Sequence, residues 1–388
     1  MTVAEPARAV SISQLESIGA VLPQEWDSLC DSPYPFARHD FLQALETHGC
    51  VGGDTGWQPL HFAMRDRAGT LVAAAPCYLK SHSYGEFVFD FAWARASAQL
   101  RRPYYPKLLC AIPFVPSTGP RLLAPLQQHR EMLASALGRS ASDNRLSSAH
   151  ALFVDAVDAA VLRHEQWLSR TDVQFQWVNR GYGSFPDFLA TLTSDKRKKL
   201  LRERRRVAEA GIGFEWCRGD ELDEAQWARV YALYSNTYEE RGQQPYLSLE
   251  FFLDYGRRPG TPMRLVLACR NGEIVATALT LLGGDTLYGR HWGAAEHYHS
   301  LHFECCYHQG IEYCIDNGLQ RFDAGTQGAH KLSRGFEPVL TRSLHHLTHP
   351  QLREAVENYL REERDWTAQR RDEYQRHVPF RVDRDRVD

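Results

Sequence analysis

Two stretches of this chain alternate hydrophobic and polar positions in the manner of paired strands, and each is flanked by helical periodicity. The first, GWQPLHFAMRDRAGTLVAAAPCYLKS (56–81), predicts a strand, a turn around Ala68–Gly69 and a second strand. The aromatic tract YGEFVFDFAWA (84–94) reads as a further strand. The second stretch, MRLVLACRNGEIVATALTLLGG (263–284), predicts the same pair about Asn271–Gly272, a strong hairpin dipeptide because both residues tolerate positive φ. DTLYGRHWGA (285–294) continues it. Helical sequence precedes each hairpin: QEWDSLC and HDFLQALETHG in the first half, DFLATLT, KRKKLLRERRR and EAQWARVYALYSNTYEERG in the second. Helix and strand patterns also follow each, ending in VQFQWV and in RFDAG. Helix, antiparallel hairpin, strand, helix, strand, stated twice, predicts an α+β fold duplicated in tandem. The boundary falls near Arg170 to Gly183, giving segments 1–175 and 176–388, the latter ending in a charged, exposed helix, REAVENYLREERDWTAQRRDEYQRH.

The segment from Leu287 to Pro338 concentrates ionisable groups in apolar context. On a helical wheel, residues 301–316 are hydrophobic all round, which marks a buried helix. Glu304 shares a side with Leu301, Ile311 and Ile315. It is either a structural ion-pair partner, with an arginine such as Arg290, or part of a site in which an apolar setting raises its pKa. RFDAG predicts a short strand carrying Asp323. The glycine-punctuated loop after it presents Gln327, His330, Lys331 and Arg334, and His330 or Lys331 taken alone reads as a solvated loop charge.

Composition narrows the class. The chain has 388 residues, is 43% hydrophobic and carries a net charge of −3, ordinary for a soluble chain with a sizeable core. No apolar run is long enough to span a bilayer and no signal-peptide order is present, so a cytoplasmic location is expected. Nine cysteines without a CxxC pair argue for reduced thiols, and without an HExxH motif no metal site is expected. Charge is uneven: KRKKLLRERRR (196–206) holds eight basic side chains and one acidic. As a helix it would place Leu200, Leu201, Val207 and Ala208 on one apolar stripe and leave the rest positive, which suits phosphate groups. A solvated helix offset by DELDE (220–224) is the alternative.

The order of elements is that of the GCN5-related N-acetyltransferase (GNAT) fold, and its duplication resembles the FemABX-like aminoacyltransferases. More closely, the chain resembles the FemAB-like family of peptidoglycan biosynthesis or recognition proteins. The likeness rests on HDFLQALE (39–46), KSHSYGEFVFDFAW (80–93), YYPKLLCAIPF (104–114), KRKKLLRERR (196–205), YGRHWGAAEHYHSLHFECCYHQGIEY (288–313) and DAGTQGAHKLSRGFEPV (323–339).

The resemblance implies N-acyl transfer, in which an amine attacks an activated carbonyl. An acetyl-CoA enzyme of the GNAT type carries a glycine-rich pyrophosphate loop at a helix N-terminus. GAAEHYHS (293–300) puts Glu296 where the anion would lie, and GPRLLAP (119–125) is also a poor match. The expected donor is therefore aminoacyl-tRNA, contacted by Lys196, Arg197, Lys198, Lys199, Arg202 and Arg205, with no cofactor, and the acceptor is the amine of a small molecule or cell-wall precursor. Glu304 is the expected general base, with His302, Asp323 or His330 orienting or replacing it. Lys331 or Arg290 would stabilise the oxyanion. Arg290, His291, Trp292, Gln327 and Arg334 are expected to contact substrate, and His82, Tyr84 and Glu86 to line an acceptor cleft between the domains. An acyl-CoA-dependent enzyme and a non-catalytic ligand-recognition module are the alternatives.

Overall fold

Antiparallel strand pairs leading into a β–α–β crossover occur twice in the computed structural model, which describes residues 10–30, 32–326 and 328–381. The chain divides into two units: one comprises residues up to Asp172 together with Thr341–Thr367, the other Val173–Leu340 with the residues from Ala368 onward.

In the first unit, β1 (Ser11–Leu15), β3 (His61–Arg65) and β4 (Leu71–Ala75) form a small antiparallel sheet, with α1 (His39–Thr47) and β2 (Trp57–Pro59) between β1 and β3 in sequence. β2 pairs with β5 (Cys77–Lys80), and β5 pairs antiparallel with β6 (Lys107–Cys110) after the intervening α2 (Phe91–Gln99). From β6 the chain crosses through α3 (Gln127–Asp143) to β7 (Ser148–Ala151), parallel to β6. α4 (Ala156–His164) follows. Leu133, Ala134, Leu137 and Ala141 of α3 recur at helical spacing and bury against Cys77, Leu108 and Cys110 from the sheet. The tract 84–94 departs from its expected strand: residues 84–90 are irregular and Phe91 opens α2. Its aromatic composition mimics strand propensity, but two of its carboxylates, and Ser83 just before it, are drawn inward to one lysine, as described below.

In the second unit the end of β8 (Leu168–Val178) is followed by α5 (Phe185–Thr191) and α6 (Ser194–Glu209). β9 (Gly213–Arg218), α7 (Glu224–Glu239), β10 (Met263–Arg270), β11 (Glu273–Gly283) and β12 (Thr286–Ala294) come next, with the four strands antiparallel in sequence order. The Asn271–Gly272 turn has positive φ at both residues (52° and 83°), as the sequence predicts. α8 is continuous but uneven, with helical Leu301–Phe303, a π-helical turn at Glu304–His308 and helical Gln309–Asp316. It leads to β13 (Arg321–Asp323), parallel to β12 and antiparallel to β8. Ile311, Cys314 and Ile315 pack with Phe322, Phe175, Trp177, Phe188 and Phe336 in this unit's core.

β14 (Glu337–Leu347) and α9 (Pro350–Arg376) close the chain. The expected segments 1–175 and 176–388 differ from the observed units at Thr341–Thr367, because Leu344–Leu347 pairs with β7 and Leu352, Val356 and Leu360 pack with Trp93 and Tyr104. α9 is highly charged as expected, yet that apolar row is buried.

Candidate functional site

Parallel pairing of β12 with β13 stops early: Thr286–Tyr288 face Arg321–Asp323, and beyond Tyr288 the register ends. Gly289 lies at the parting, where an added Cβ would come within 3.3 Å of the Phe322 ring and 3.4 Å of Ala324 Cα. Beside it sits Lys331, on the 3-10 turn Ala329–Arg334. Its side chain is 1% exposed, and Nζ donates to the carbonyls of Ala324 (2.9 Å) and Gly325 (2.5 Å). Lys331 is therefore no solvated loop charge. Burial, partly opposed by Asp323 and reinforced by Arg290, brings its pKa down to about 8. Asp323 and Arg290 are both buried, with Arg290 Nη2 3.8 Å from Asp323 Oδ2.

A second layer joins α6 to α8. Glu304 accepts hydrogen bonds from His308 Nδ1 and Gln309 Nε2, both at 2.8 Å, and lies 3.1 Å from Arg204 Nε. Arg204 Nη2 also donates to Glu312 at 2.7 Å. Burial pushes the Glu304 carboxyl up, but the His308 hydrogen bond and charge, with Arg204, outweigh it and hold the group below the usual carboxylate range. The expected raised pKa is thus corrected: the site is ionic, and the arginine beside it is Arg204, not Arg290. On the same inner face of α6, Glu203 accepts from Arg334 Nη2 at 2.7 Å. Arg334 is 1% exposed, stacks at 3.5 Å over the Phe303 ring and donates to the His330 carbonyl at 2.8 Å.

His330 is exposed, and its Nε2 is 2.8 Å from the Tyr307 hydroxyl. Partial desolvation, then the positive charges of Arg334, Lys331 and Lys199, lower its pKa, so the imidazole is neutral at pH 7. His302 stands edge-on to Trp292, Phe303 and Tyr307. Burial first, then His330 and the loop cations Arg334 and Lys331, bring it to about 4. His291, half-buried against Tyr234 (4.8 Å between ring centres), falls to about 3 by desolvation and the adjacent Arg290. Gln327 lies outside the described residues. Of the basic helix, Lys198, Lys199, Arg202 and Arg205 are exposed, while Lys196 and Arg197 are half-buried. The apolar stripe differs from expectation: Leu200 and Val207 are buried with Glu203, but Leu201 is half exposed and Ala208 exposed. Inward salt bridges at Glu203 and Arg204 rotate the helix to this phase.

The first unit holds a cluster that the residue pattern alone left largely unassigned. Lys107 Nζ donates to Ser83 (2.9 Å), Glu86 (2.8 Å) and Asp90 (2.5 Å), all from the irregular tract after β5. Tyr104 donates to Asp90 at 2.6 Å, and its hydroxyl lies 3.3 Å from His150, whose Nδ1 is 2.7 Å from His345 Nδ1. Burial, despite Lys107, raises Glu86 to about 7. His82 is half-buried and Tyr84 is exposed. The signal that could have found the rest was the paired tracts KSHSYGEFVFDFAW and YYPK, whose lysines and carboxylates are too many for a strand edge.

The fold is a duplicated, GNAT-like α+β architecture of FemABX type. It is similar to the crystal structure of FemX (TM-score 0.51, 10% identity, covering 89% of this chain and 100% of that one). It is also similar to L-PGS from Bacillus licheniformis (TM-score 0.51, 11% identity, 88% and 96%) and to the C-terminal domain of a putative lysylphosphatidylglycerol synthetase from Agrobacterium fabrum (TM-score 0.50, 9% identity, 84% and 92%). At these identities the likeness is one of fold. No curated protein matches the sequence. The chain belongs to the FemAB-like family, described as peptidoglycan biosynthesis/recognition, which it matches over residues 17–382. Family and fold together support an acyltransferase. Among the described residues no helix is long and apolar enough to cross a membrane.

Proposed function

We propose that the protein is an amide-forming aminoacyltransferase that takes its acyl group from aminoacyl-tRNA and passes it to the amine of a small-molecule or cell-wall-precursor acceptor. The observation that carries this reading is the pairing of an exposed imidazole with a phosphate-suited helix: Arg334 donates both to the His330 carbonyl (2.8 Å) and to Glu203 on α6 (2.7 Å), which ties the turn bearing the imidazole to that helix. A donor whose phosphates lie along Lys198, Lys199, Arg202 and Arg205 would bring its ester toward that imidazole. The loop before α8, with Glu296 and no glycine run, offers little to a CoA pyrophosphate.

In this mechanism the acceptor nitrogen attacks the ester carbonyl, His330 removes a proton from it, and the C–O bond breaks to release the tRNA hydroxyl, which takes up a proton. Ester aminolysis is intrinsically easy, so orientation supplies much of the rate. Lys331, when protonated, has two of its three N–H groups on the Ala324 and Gly325 carbonyls, leaving the third for the developing oxyanion. Glu304 keeps α6 and α8 together and takes no proton, since it is held ionised. Transfer assays with a mixture of charged tRNAs, set against acetyl-CoA, test the donor. Replacing Lys198, Lys199, Arg202 and Arg205 by Ala should weaken tRNA binding and flatten its log–log salt dependence by roughly 2–4 units. Unchanged binding in that variant, or turnover with acetyl-CoA alone, would remove tRNA from the scheme.

A further inference from the structure

Lys80 and Lys107 are directly opposed residues on the antiparallel strands β5 and β6. Both side chains are fully buried. Like charges placed opposite one another repel, and the fold resolves the conflict asymmetrically. Lys107 takes both nearby carboxylates, Glu86 and Asp90, each within 2.8 Å. Lys80 receives neutral partners: Nζ lies 3.3 Å from His82 Nδ1 and 3.4 Å from the Tyr84 carbonyl, and 4.0 Å above the Trp57 ring. Among the described residues it has no carboxylate within 4 Å.

The imidazole is built for this arrangement. His82 Nε2 is 3.0 Å from the Thr55 carbonyl, which only accepts, so Nε2 carries the proton and Nδ1 turns a lone pair to Lys80 and to the Tyr84 N–H (3.2 Å). Gly56 makes room for the ring, since a Cβ there would lie 2.3 Å from Nε2. His82 is half-buried and Tyr84 exposed, so the amine lies one residue layer beneath the surface.

We propose that Lys80, with His82 and Tyr84 above it, forms a binding site for an oxyanion, the carboxylate or phosphate group of a small ligand. A buried lysine that lacks a counter-ion gains most from an anion, which would replace His82 Nδ1 and the Tyr84 carbonyl as its acceptor. The groups acting on Lys80 are Lys107 across the strand pair, Glu86 and Asp90 from the tract after β5, and His82. Burial first, then Lys107, lower its pKa to about 7 against the opposing pull of Glu86 and Asp90. Anion binding holds the charged form and so draws in a fraction of a proton at pH 7. The inference concerns the first unit alone and does not depend on the transfer reaction proposed above.

Calorimetric titration of the full chain at pH 7 and constant ionic strength tests it, with sulfate standing for phosphate and acetate for carboxylate, because neither probe titrates near that pH. Repeating each titration in buffers of different ionisation enthalpy gives the protons taken up. One of the two anions should bind with net proton uptake. Lys80→Met should cost at least about tenfold in affinity and abolish the uptake. Lys80→Arg, permanently charged, should bind without uptake, and it carries the test if Lys80→Met is misfolded. Binding and uptake unchanged in Lys80→Met would place the anion elsewhere, on α6 first of all, and overturn the proposal. Failure of both anions to bind would also overturn it.

Discussion

Glu304→Gln tests whether the carboxylate at the centre of the second unit's ionic layer is structural. The wild-type side chain is 2% exposed, accepts from His308 and Gln309 at 2.8 Å and balances Arg204 at 3.1 Å. Glutamine keeps one acceptor oxygen, but it turns an NH₂ group toward one of the two donors and leaves the arginine without this partner. Breaking a buried pair from one side costs ~3–5 kcal/mol. Arg204 retains Glu312 at 2.7 Å and is 28% exposed, so the lower end, about 3 kcal/mol, is expected. For a unit of this size that lowers Tm by roughly 6–12 °C. The pH dependence has a definite sign. Because the folded pKa is depressed below 4.5, the contribution is fully present above that value and is lost as pH falls through the folded pKa. The gap between wild type and variant should therefore be full at pH 7 and close in strong acid, as read from urea melts across that range. A variant as stable as wild type but slow in transfer would refute the structural assignment and return Glu304 to the chemistry.

Three further variants have definite expected outcomes. His330→Gln should lower the transfer rate by about 10²-fold or more while leaving tRNA affinity unchanged. Because the folded pKa of His330 lies below that of a free imidazole, the wild-type rate per unprotonated acceptor amine should persist as pH falls through ~6.5 and decline only beneath it; a fall toward acid centred at or above that pH would exclude this base, whereas a fall toward alkali is the one expected as Lys331 loses its proton. Gly293→Ala would place a Cβ 1.9 Å from the Leu233 carbonyl on α7, backbone that cannot swing aside, and should destabilise by about 2–3 kcal/mol. Gly213→Ala, whose added Cβ meets nothing within 4 Å, should stay within ~0.5 kcal/mol in the same denaturation assay.

What the sequence made legible was whatever has a local cause. The β10–β11 hairpin follows from Asn271–Gly272, and the burial of α8 from apolar residues on every side. The duplicated plan follows from element order. Partners distant in the chain were not legible: Glu304 meets Arg204 from 100 positions away, and no periodicity announces it. The tract 84–94 was misread because Phe87, Val88, Phe89 and Phe91 carry strand propensity, whereas its path is set by Lys107, whose three bonds to Ser83, Glu86 and Asp90 cannot be seen from composition. The phase of α6 shifted for a related reason. Two adjacent charges with inward partners, Glu203 and Arg204, outweigh one exposed leucine.

The π-turn at Glu304–His308 holds one more residue than a regular helix would need. A single-codon deletion there would restore α-helical winding with little net rotation of one end of α8 against the other, because five residues in the wider π winding and four in the α winding turn the chain through nearly the same angle. Ile311 and Ile315 could keep their seats in the core while Phe303 stayed beneath Arg334, and the change would fall on the turn itself, which carries Glu304, the partner of Arg204, and Tyr307, the partner of His330. The extra residue is thus confined to the stretch of the helix that meets α6 and the loop bearing His330. Gain or loss of one residue at this point would alter the contacts of Glu304 and Tyr307 and leave both ends of the helix seated, a change of site without a change of fold.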